Sequence, residues 1–479
     1  MEQFPQLVVD RGSPTPLSDQ LTHNLRELIL SGATRPGESL PPSRLLAETL
    51  LVSRSVVVSA YERLVGEGYL ESQQGSGTRV VEELPDWVVE PTAVAVERDP
   101  EAASEAATST PPIDLRPGRP YTPPSPPREW VRALTAAARE PWRSDAPDSR
   151  GEPALRRAIA DQARRSRGID CDAEDAVVTT GTSEALAIIA LALRELRGRE
   201  PRIAVEDPGY IEGAWALRRA GATLVPIPVG DDGVTAAGLR ALAAVDTIDA
   251  VMVTPSHQYP LGGRIPAVER HAILSWAEET GAYVIEDDYD SEFRHDGAVL
   301  PAMASLDRGG AVIYVTTLNK VLSPSLRCGA IVLGRGQHAE ALRAAVFRAR
   351  QDLGEAVSAM IQRALAAFLS GGGFRREVGR TRREYRHRRE LLLAECTKLG
   401  LTVTGAAGGL HVVIPLAPGK TGLEVVAQLE KRGVLVGQVQ SLADEGGPDG
   451  IIVGYGAESV SRTLQGVERI AAVMGVSQV

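Results

Sequence analysis

From residue 113 onward, short apolar runs (AVVTT, RIAVE, AVMVTP, AYVIEDD, AVIYVTT) alternate with stretches of helical period such as LRRAIADQARR, EALAIIALALRELR and ERHAILSWAEET. Few folds accept that rhythm. Apolar runs of this kind read as strands buried in a sheet, and a helix between successive runs is the connection that parallel strands need. The expectation is a mainly α/β domain over residues 113–479, built on a mostly parallel sheet with flanking helices. A chain of 479 residues exceeds what one core usually organises, so further units are expected outside that sheet.

Residues 1–81 follow a different pattern. Leu17, Leu21, Leu25, Leu28 and Ile29 are spaced as one face of a helix that Gly32 ends. SRLLAETL then follows Pro41-Pro42 as a short helix, and Ser53 is expected to cap another whose apolar face is Val57, Ala60, Tyr61 and Leu64. Two short helices around a tight turn make a helix-turn-helix. GYLESQQGSGTRVV reads as two strands around Gly75-Ser76-Gly77, a wing. If this unit reads DNA, Arg54 and Ser55, after Ser53, sit at the exposed start of the second helix, where a guanidinium reaches base edges. Arg44 and Arg79, with Gly75 at the wing tip, would meet the phosphate backbone. The segment to Val81 holds more acids than bases, however, and three helices with a hairpin also serve protein partners, so spacing alone leaves both readings open. Residues 82–112, rich in Glu, Asp, Ala, Val, Thr and Pro with Arg98 their only basic residue, read as an extended linker.

Composition narrows the function. The net charge of −10 means that any contact with nucleic acid is local. No apolar run approaches the roughly 20 residues of a membrane helix, and MEQFPQLVVDRG lacks the order of a signal peptide, so a cytoplasmic protein without membrane contact is expected. Cys171, Cys328 and Cys396 form no CxxC pair, which indicates neither a disulfide framework nor a zinc site. Only Lys320, Lys398, Lys420 and Lys431 are lysines, against 48 arginines, so a lysine within a motif carries weight.

Lys320 closes AVIYVTTLNK, where a strand leaves the sheet, and Arg327 follows seven residues on. AYVIEDDYD ends another strand with Asp287, Asp288, Tyr289 and Asp290, acids that are costly to bury without a cation. A metal ion is one such cation and a pyridinium another; the tyrosine within the run suits the second better. Gly181, Thr182 and Ser183 lie where a strand turns into a helix, with free amides and hydroxyls for a phosphate. Tyr210, in VEDPGY, can stack on a flat ring. A nucleophilic lysine, an acid for a ring nitrogen, phosphate donors and a stacking group are the requirements of pyridoxal 5'-phosphate.

Two resemblances sharpen these readings. The stretches RPG-x-x-LP-x-SR, VSR-x-x-V-x-x-AY-x-x-L-x-x-EGYL and GSGT resemble the winged helix-turn-helix of GntR-type bacterial regulators, with Leu51 where such regulators usually carry glycine. RGEPALRRAIA, VEDPGY, VTPSHQYP, VIEDDYDSEFRHDG and VTTLNKVLSPSLRCG resemble the aminotransferase-like domain of MocR/GabR-type regulators. That resemblance implies a fold-type I aminotransferase-like domain with a smaller C-terminal subdomain. It also implies an internal aldimine on Lys320, Asp287 at the ring nitrogen and Tyr289 at the phenolic oxygen, with Thr317, Asn319 and His257 completing the cofactor set. Asn319 replaces a usual serine, and Leu261 a small hydroxyl residue. The position aligned with a carboxylate-binding arginine is Ile452, and no arginine lies between Val434 and Val460. The implied protein is a homodimeric regulator of operator double-stranded DNA whose small-molecule effector is pyridoxal phosphate itself, plausibly acting on vitamin B6 synthesis genes. An amine or amino-acid effector is the alternative, and a working aminotransferase a further one.

Overall fold

The structure is a computed structural model. It describes residues 7, 9–10, 16–30, 33–73, 77–82, 111–123, 125–141, 144, 148–295, 300–354, 357–405, 408–417, 419–443 and 449–476. The chain divides into two compact units, Met1–Thr110 and Pro111–Val479. The segment read as a linker, 82–112, lies for residues 83–110 outside the described residues, as does the expected wing tip at Gly75.

In the first unit, α1 (Leu17–Leu30), α2 (Ser43–Leu50) and α3 (Arg54–Gly66) pack around one small core, and β1 (Leu70–Gln73) pairs antiparallel with β2 (Gly77–Val80). Leu21, Leu25, Val57, Ala60, Leu64 and Val80 are almost fully buried in it. The helical spacing brings these apolar positions onto facing sides, which is why so few residues hold three helices together. Tyr61 reaches out of this core and donates its hydroxyl to the carbonyl of Pro41, fixing the entry to α2.

The second unit is a seven-stranded sheet in the order β4-β10-β9-β8-β7-β5-β6. Its strands are β4 (Ala176–Thr179), β5 (Arg202–Asp207), β6 (Thr223–Pro228), β7 (Ala250–Val253), β8 (Tyr283–Asp288), β9 (Val312–Thr317) and β10 (Gly329–Leu333). Strands β5 to β9 run parallel, and β10 alone is antiparallel, to both its neighbours. Helices cover both faces. Ile188, Ile189 and Leu193 of the helix Thr182–Arg197 seal one side against Ile285 and Val315, while Ile273 and Trp276 of Ala267–Thr280 seal the other against Val251 and Val284. Earlier in the chain, β3 (Ile113–Asp114) pairs in parallel with β12 (Val434–Leu435), and a three-stranded antiparallel sheet is formed by β11 (His411–Pro415), β14 (Gly450–Gly454) and β13 (Gly437–Gln438). Among the described residues no helix is long and apolar enough to cross a membrane.

The turn after α2 carries visible strain. Leu51 adopts φ 56° and ψ 32° and is 78% exposed, so a largely solvent-facing residue carries the steric cost of a left-handed backbone that glycine would not. Leu51→Gly is therefore expected to stabilise the N-terminal unit by about 1 kcal/mol. Its thermal melting checks this; a lower melting temperature would mean that the exposed leucine makes a contact worth more than its strain.

Candidate functional site

The cavity of interest, about 350 Å³, opens where the parallel strands end. Asp287 comes from β8 and Tyr289 follows it; Thr317 closes β9 with Asn319 and Lys320 just beyond; Thr254 follows β7 and Tyr210 follows β5. All face one space because loops at the carboxyl ends of parallel strands converge there. Gly181, Thr182 and Ser183 enter at the N-terminus of Thr182–Arg197, and Arg327 precedes β10.

The acid run explains itself through strand alternation. Glu286 and Asp288 point to the opposite face from Asp287. Glu286 accepts from the backbone N–H groups of Met303 and Ala304, at 3.0 and 2.9 Å. Asp288 is held by Arg167 at 2.7 Å and by the Tyr314 hydroxyl at 2.5 Å. Asp290 pairs with His257 at 2.8 Å. Asp287 remains. It is buried, its Oδ1 has no partner, and burial with the charge of Asp288 pushes its pKa up to about 8. A carboxyl in that state is a place for a cation brought by a ligand. Among the described residues no group of three or more His, Cys, Asp or Glu is arranged to hold a metal ion.

Lys320 donates to the carbonyl of Gly118 at 2.6 Å, and burial pulls its pKa below the ordinary lysine range. A less basic amine is more often neutral and so more nucleophilic. Asn319 spends its carbonyl on the N–H of Cys328 at 3.1 Å, and its amide nitrogen lies toward Gly181, where a built Cβ would stand 3.3 Å from it. The amide N–H that replaces the usual serine hydroxyl is thus free to face an anion beside the helix N-terminus. Arg327 lines the same space with its backbone at φ 47°, a left-handed conformation uncommon for a non-glycine residue and typical of functional strain. Tyr210 stands edge-on to Tyr259 with centroids 6.4 Å apart, and burial pushes its hydroxyl up to about 12. Lysine, acid, phosphate donors and stacking ring therefore fit pyridoxal phosphate. The unpartnered Asp287 oxygen is the observation on which that fit turns.

Of the sequence candidates, His257 alone among the cofactor set does not line the cavity and instead lies behind Tyr289. Ile452 is fully buried with Val413, Val439 and Leu261 and does not line the cavity either. Pro117, Gly118, Arg119, Tyr259, Leu410 and His411 do line it and escaped notice. Tyr259 stands inside the HQYP stretch and could have been found there; Gly118 and Arg119 lie in a loop with no periodic signal. In the first unit, Ser53 hydrogen-bonds through its hydroxyl to Ser55 and makes no side-chain cap, a departure from the expected capping role. Arg44 pairs with Glu48 and Arg79 with Glu71, while Arg54 is exposed and reaches Ser43 at 3.4 Å.

Comparison with known proteins agrees with both units. Residues 17–80 match the bacterial regulatory proteins of the gntR family, and residues 111–444 match aminotransferase class I and II. The HTH-type pyridoxine biosynthesis transcriptional regulator PdxR of Corynebacterium glutamicum is 36% identical over 93% of each chain. The probable rhizopine catabolism regulatory protein MocR of Rhizobium meliloti is 37% identical over 82% of this chain and 79% of its own. An archaeal alanine:glyoxylate aminotransferase shares the fold, with a TM-score of 0.69 at 23% identity over 78% of this chain and 94% of its own.

The raised pKa of Asp287 has a stability consequence. An acid that stays protonated in the fold keeps its full contribution only below the ordinary carboxyl range near 4 and loses it as pH climbs to about 8. The cofactor-free protein should therefore melt progressively lower across that window, and cofactor should flatten the slope. Asp287→Asn should reduce it, leaving the parts due to Glu206 and Glu292, which burial pushes up to about 7, and to Glu286, which burial also raises, and should weaken cofactor binding roughly ten- to hundredfold. An unchanged pH slope in Asp287→Asn would show that Asp287 is not the titrating group. With a gntR-type winged helix-turn-helix ahead of an aminotransferase class I and II domain, and such relatives over most of its length, the chain belongs to the MocR/GabR-type family of transcription regulators.

Proposed function

We propose that the protein is a transcription regulator that holds pyridoxal phosphate on Lys320 and responds to the cofactor itself, acting on operator DNA as a homodimer. The observation that carries the choice of effector is Ile452. An amino acid reacting at Lys320 must have its carboxylate held so that its amine meets the cofactor in one orientation, and arginine does this with a planar fork. Ile452 has neither charge nor access to the cavity. The pyridoxine biosynthesis role in the name of the Corynebacterium glutamicum relative supports vitamin B6 synthesis genes as targets.

Bound there, pyridoxal phosphate supplies an electrophilic carbon for the lysine amine. The chain's residues do the remaining work. Asp287 would keep the ring nitrogen protonated, Tyr289 would donate to the phenolic oxygen, and Tyr210 would pack on the ring. Gly181, Thr182, Ser183, Asn319, Thr317 and Arg327 form the polar end for the phosphate. Within the DNA-binding unit, Arg54 reads bases, Ser53 and Ser55 face the backbone, and Arg44 and Arg79 trade their carboxylate partners for phosphates. The domains implied are residues 1–81, a linker over 82–112, and the cofactor-binding remainder, 113–479.

One observation favours a second reading, an external amine or amino acid as effector. Arg119 lines the cavity 2.8 Å from Asp114, which Arg116 already engages with two nitrogens, so the Arg119 guanidinium can be released to a carboxylate.

Operator binding decides between regulators of different effectors. Pyridoxal phosphate alone should change the affinity of the wild-type protein for its operator and produce a visible absorption band; Lys320→Ala should lose both. A normal cofactor response in Lys320→Ala, or borohydride labelling of Lys398, Lys420 or Lys431, would overturn the assignment. Transamination is expected to be negligible. Millimolar proteinogenic amino acids should leave the visible band intact, and rapid bleaching with release of an oxo acid would promote the enzyme reading.

A further inference from the structure

Tyr289 reaches the cavity with its hydroxyl engaged from behind. Nδ1 of His257 lies 2.9 Å from that hydroxyl and 2.8 Å from Oδ2 of Asp290, and the hydroxyl itself donates to the His257 carbonyl at 3.2 Å. His257 and Asp290 are 3% and 2% exposed, so water does not compete for these contacts. The other ring nitrogen, Nε2, faces the carbonyl of Gly405 at 3.4 Å.

Two acceptors on opposite sides of an imidazole ask for two N–H groups, which only the charged ring has. Burial alone pulls the pKa of His257 down, but the charge and hydrogen bond of Asp290 and the Gly405 carbonyl outweigh it and hold it above the ordinary range. The groups facing the ring from neighbouring elements allow this. Tyr289 and Asp290 follow β8, and Arg264 opposes the charge from its loop. His411 of β11, with its centroid 5.3 Å away, is pushed to about 3 by its own burial and then by the charge on His257, so it stays neutral. Space for the ring is made by Gly409. A Cβ there would stand 2.5 Å from His257 Nδ1 and 2.8 Å from Asp290 Oδ2, and its φ of +76° favours glycine as well.

We propose that Asp290 and His257 form a positioning pair that sets the direction of the Tyr289 hydroxyl proton: the Nδ1–H donates to Asp290 and to the tyrosine oxygen, so that the tyrosine O–H, which otherwise turns to the weaker 3.2 Å contact with the His257 carbonyl, donates into the cavity once an acceptor is bound there. The inference rests on the cofactor reading above, because the acceptor in the cavity is the phenolic oxygen of pyridoxal phosphate. With Asp290 neutralised, His257 loses its charge and turns a lone pair toward Tyr289, and the proton swings away from the cavity. With His257 removed, Tyr289 donates to Asp290. Either change withdraws the donor from the phenolic oxygen, so the nitrogen joining Lys320 to the cofactor holds its proton more tightly.

The test is a pH titration of the visible absorbance of the full-length, cofactor-loaded protein. Asp290→Asn and His257→Asn should each raise the midpoint by about one unit, the scale of losing a charge-assisted hydrogen bond. Tyr289→Phe should shift it in the same direction, and neither substitution should shift it further in the Tyr289→Phe background. Equal shifts with and without the tyrosine hydroxyl would show that the pair acts as bare charge, and no shift at all would show that it only packs; each outcome overturns the proposal. If Asp290→Asn does not fold, the His257→Asn cycle decides alone. A wild-type protein that shows no visible band with pyridoxal phosphate would instead remove the cofactor reading.

Discussion

Four carboxylates within residues 286–290 cannot be buried together unless each finds its own counter-group, and the site is organised by how that requirement is met. Strand alternation sends Glu286 and Asp288 to one face, where helix amides and Arg167 receive them. The chain then leaves β8, and Asp290 meets His257. Every acid of the run but Asp287 has a hydrogen-bond or ion-pair partner in the protein. Filling that last vacancy from within would have required one more buried cation, and instead the electrostatic demand is passed to a ligand. The binding specificity of the cavity is thus already present in the arrangement of its walls.

That arrangement depends on the sheet. Parallel strands present their carboxyl ends at one edge, so residues as distant in sequence as Tyr210, Asp287 and Lys320 converge without any long excursion of the chain. The antiparallel β10 returns the chain beside β9 within a dozen residues of Lys320, which brings Arg327 and the N–H of Cys328 back to Asn319. A parallel crossover at this point would have carried Arg327 to the far end of the sheet.

Much of this was legible because burial on both faces leaves a plain mark. The five apolar runs read from sequence are β4, β5, β7, β8 and β9. β6, TLVPIP, was missed because Pro226 and Pro228 argue against a strand; it lies at the sheet edge, where proline costs no ladder bond on the open side. β10, GAIVL, was hidden by the break at Arg327 that makes it useful. Within the site, residues next to strands announced themselves, Lys320 by its rarity and Asp287 by its neighbours. Gly118 and Arg119 did not, since a backbone carbonyl that receives Lys320 and a loop arginine that shares Asp114 have no periodicity to read. His257 was legible as part of the motif but not as to place: only three dimensions show that it serves Tyr289 from behind.

The segment from Pro111 to Arg119 connects the cavity to the start of its unit. Its start is gripped by Arg462, which donates to the carbonyls of Pro111 and Pro112 at 2.9 and 2.8 Å, and β3 fixes it to β12. Asp114 is tied to Glu458 through its backbone and to Arg116 and Arg119 through its side chain. The far end supplies the carbonyl of Gly118 to Lys320. A ligand that takes the lysine nitrogen must therefore break a 2.6 Å hydrogen bond to a short, multiply anchored strip whose other end is the first residue of this unit. Gly118 is exposed, so water can take over its carbonyl, and loss of the lysine releases the strip without stranding a buried group. The contact between Lys320 and Gly118 thus joins the cavity wall to the anchored strip with which this unit begins.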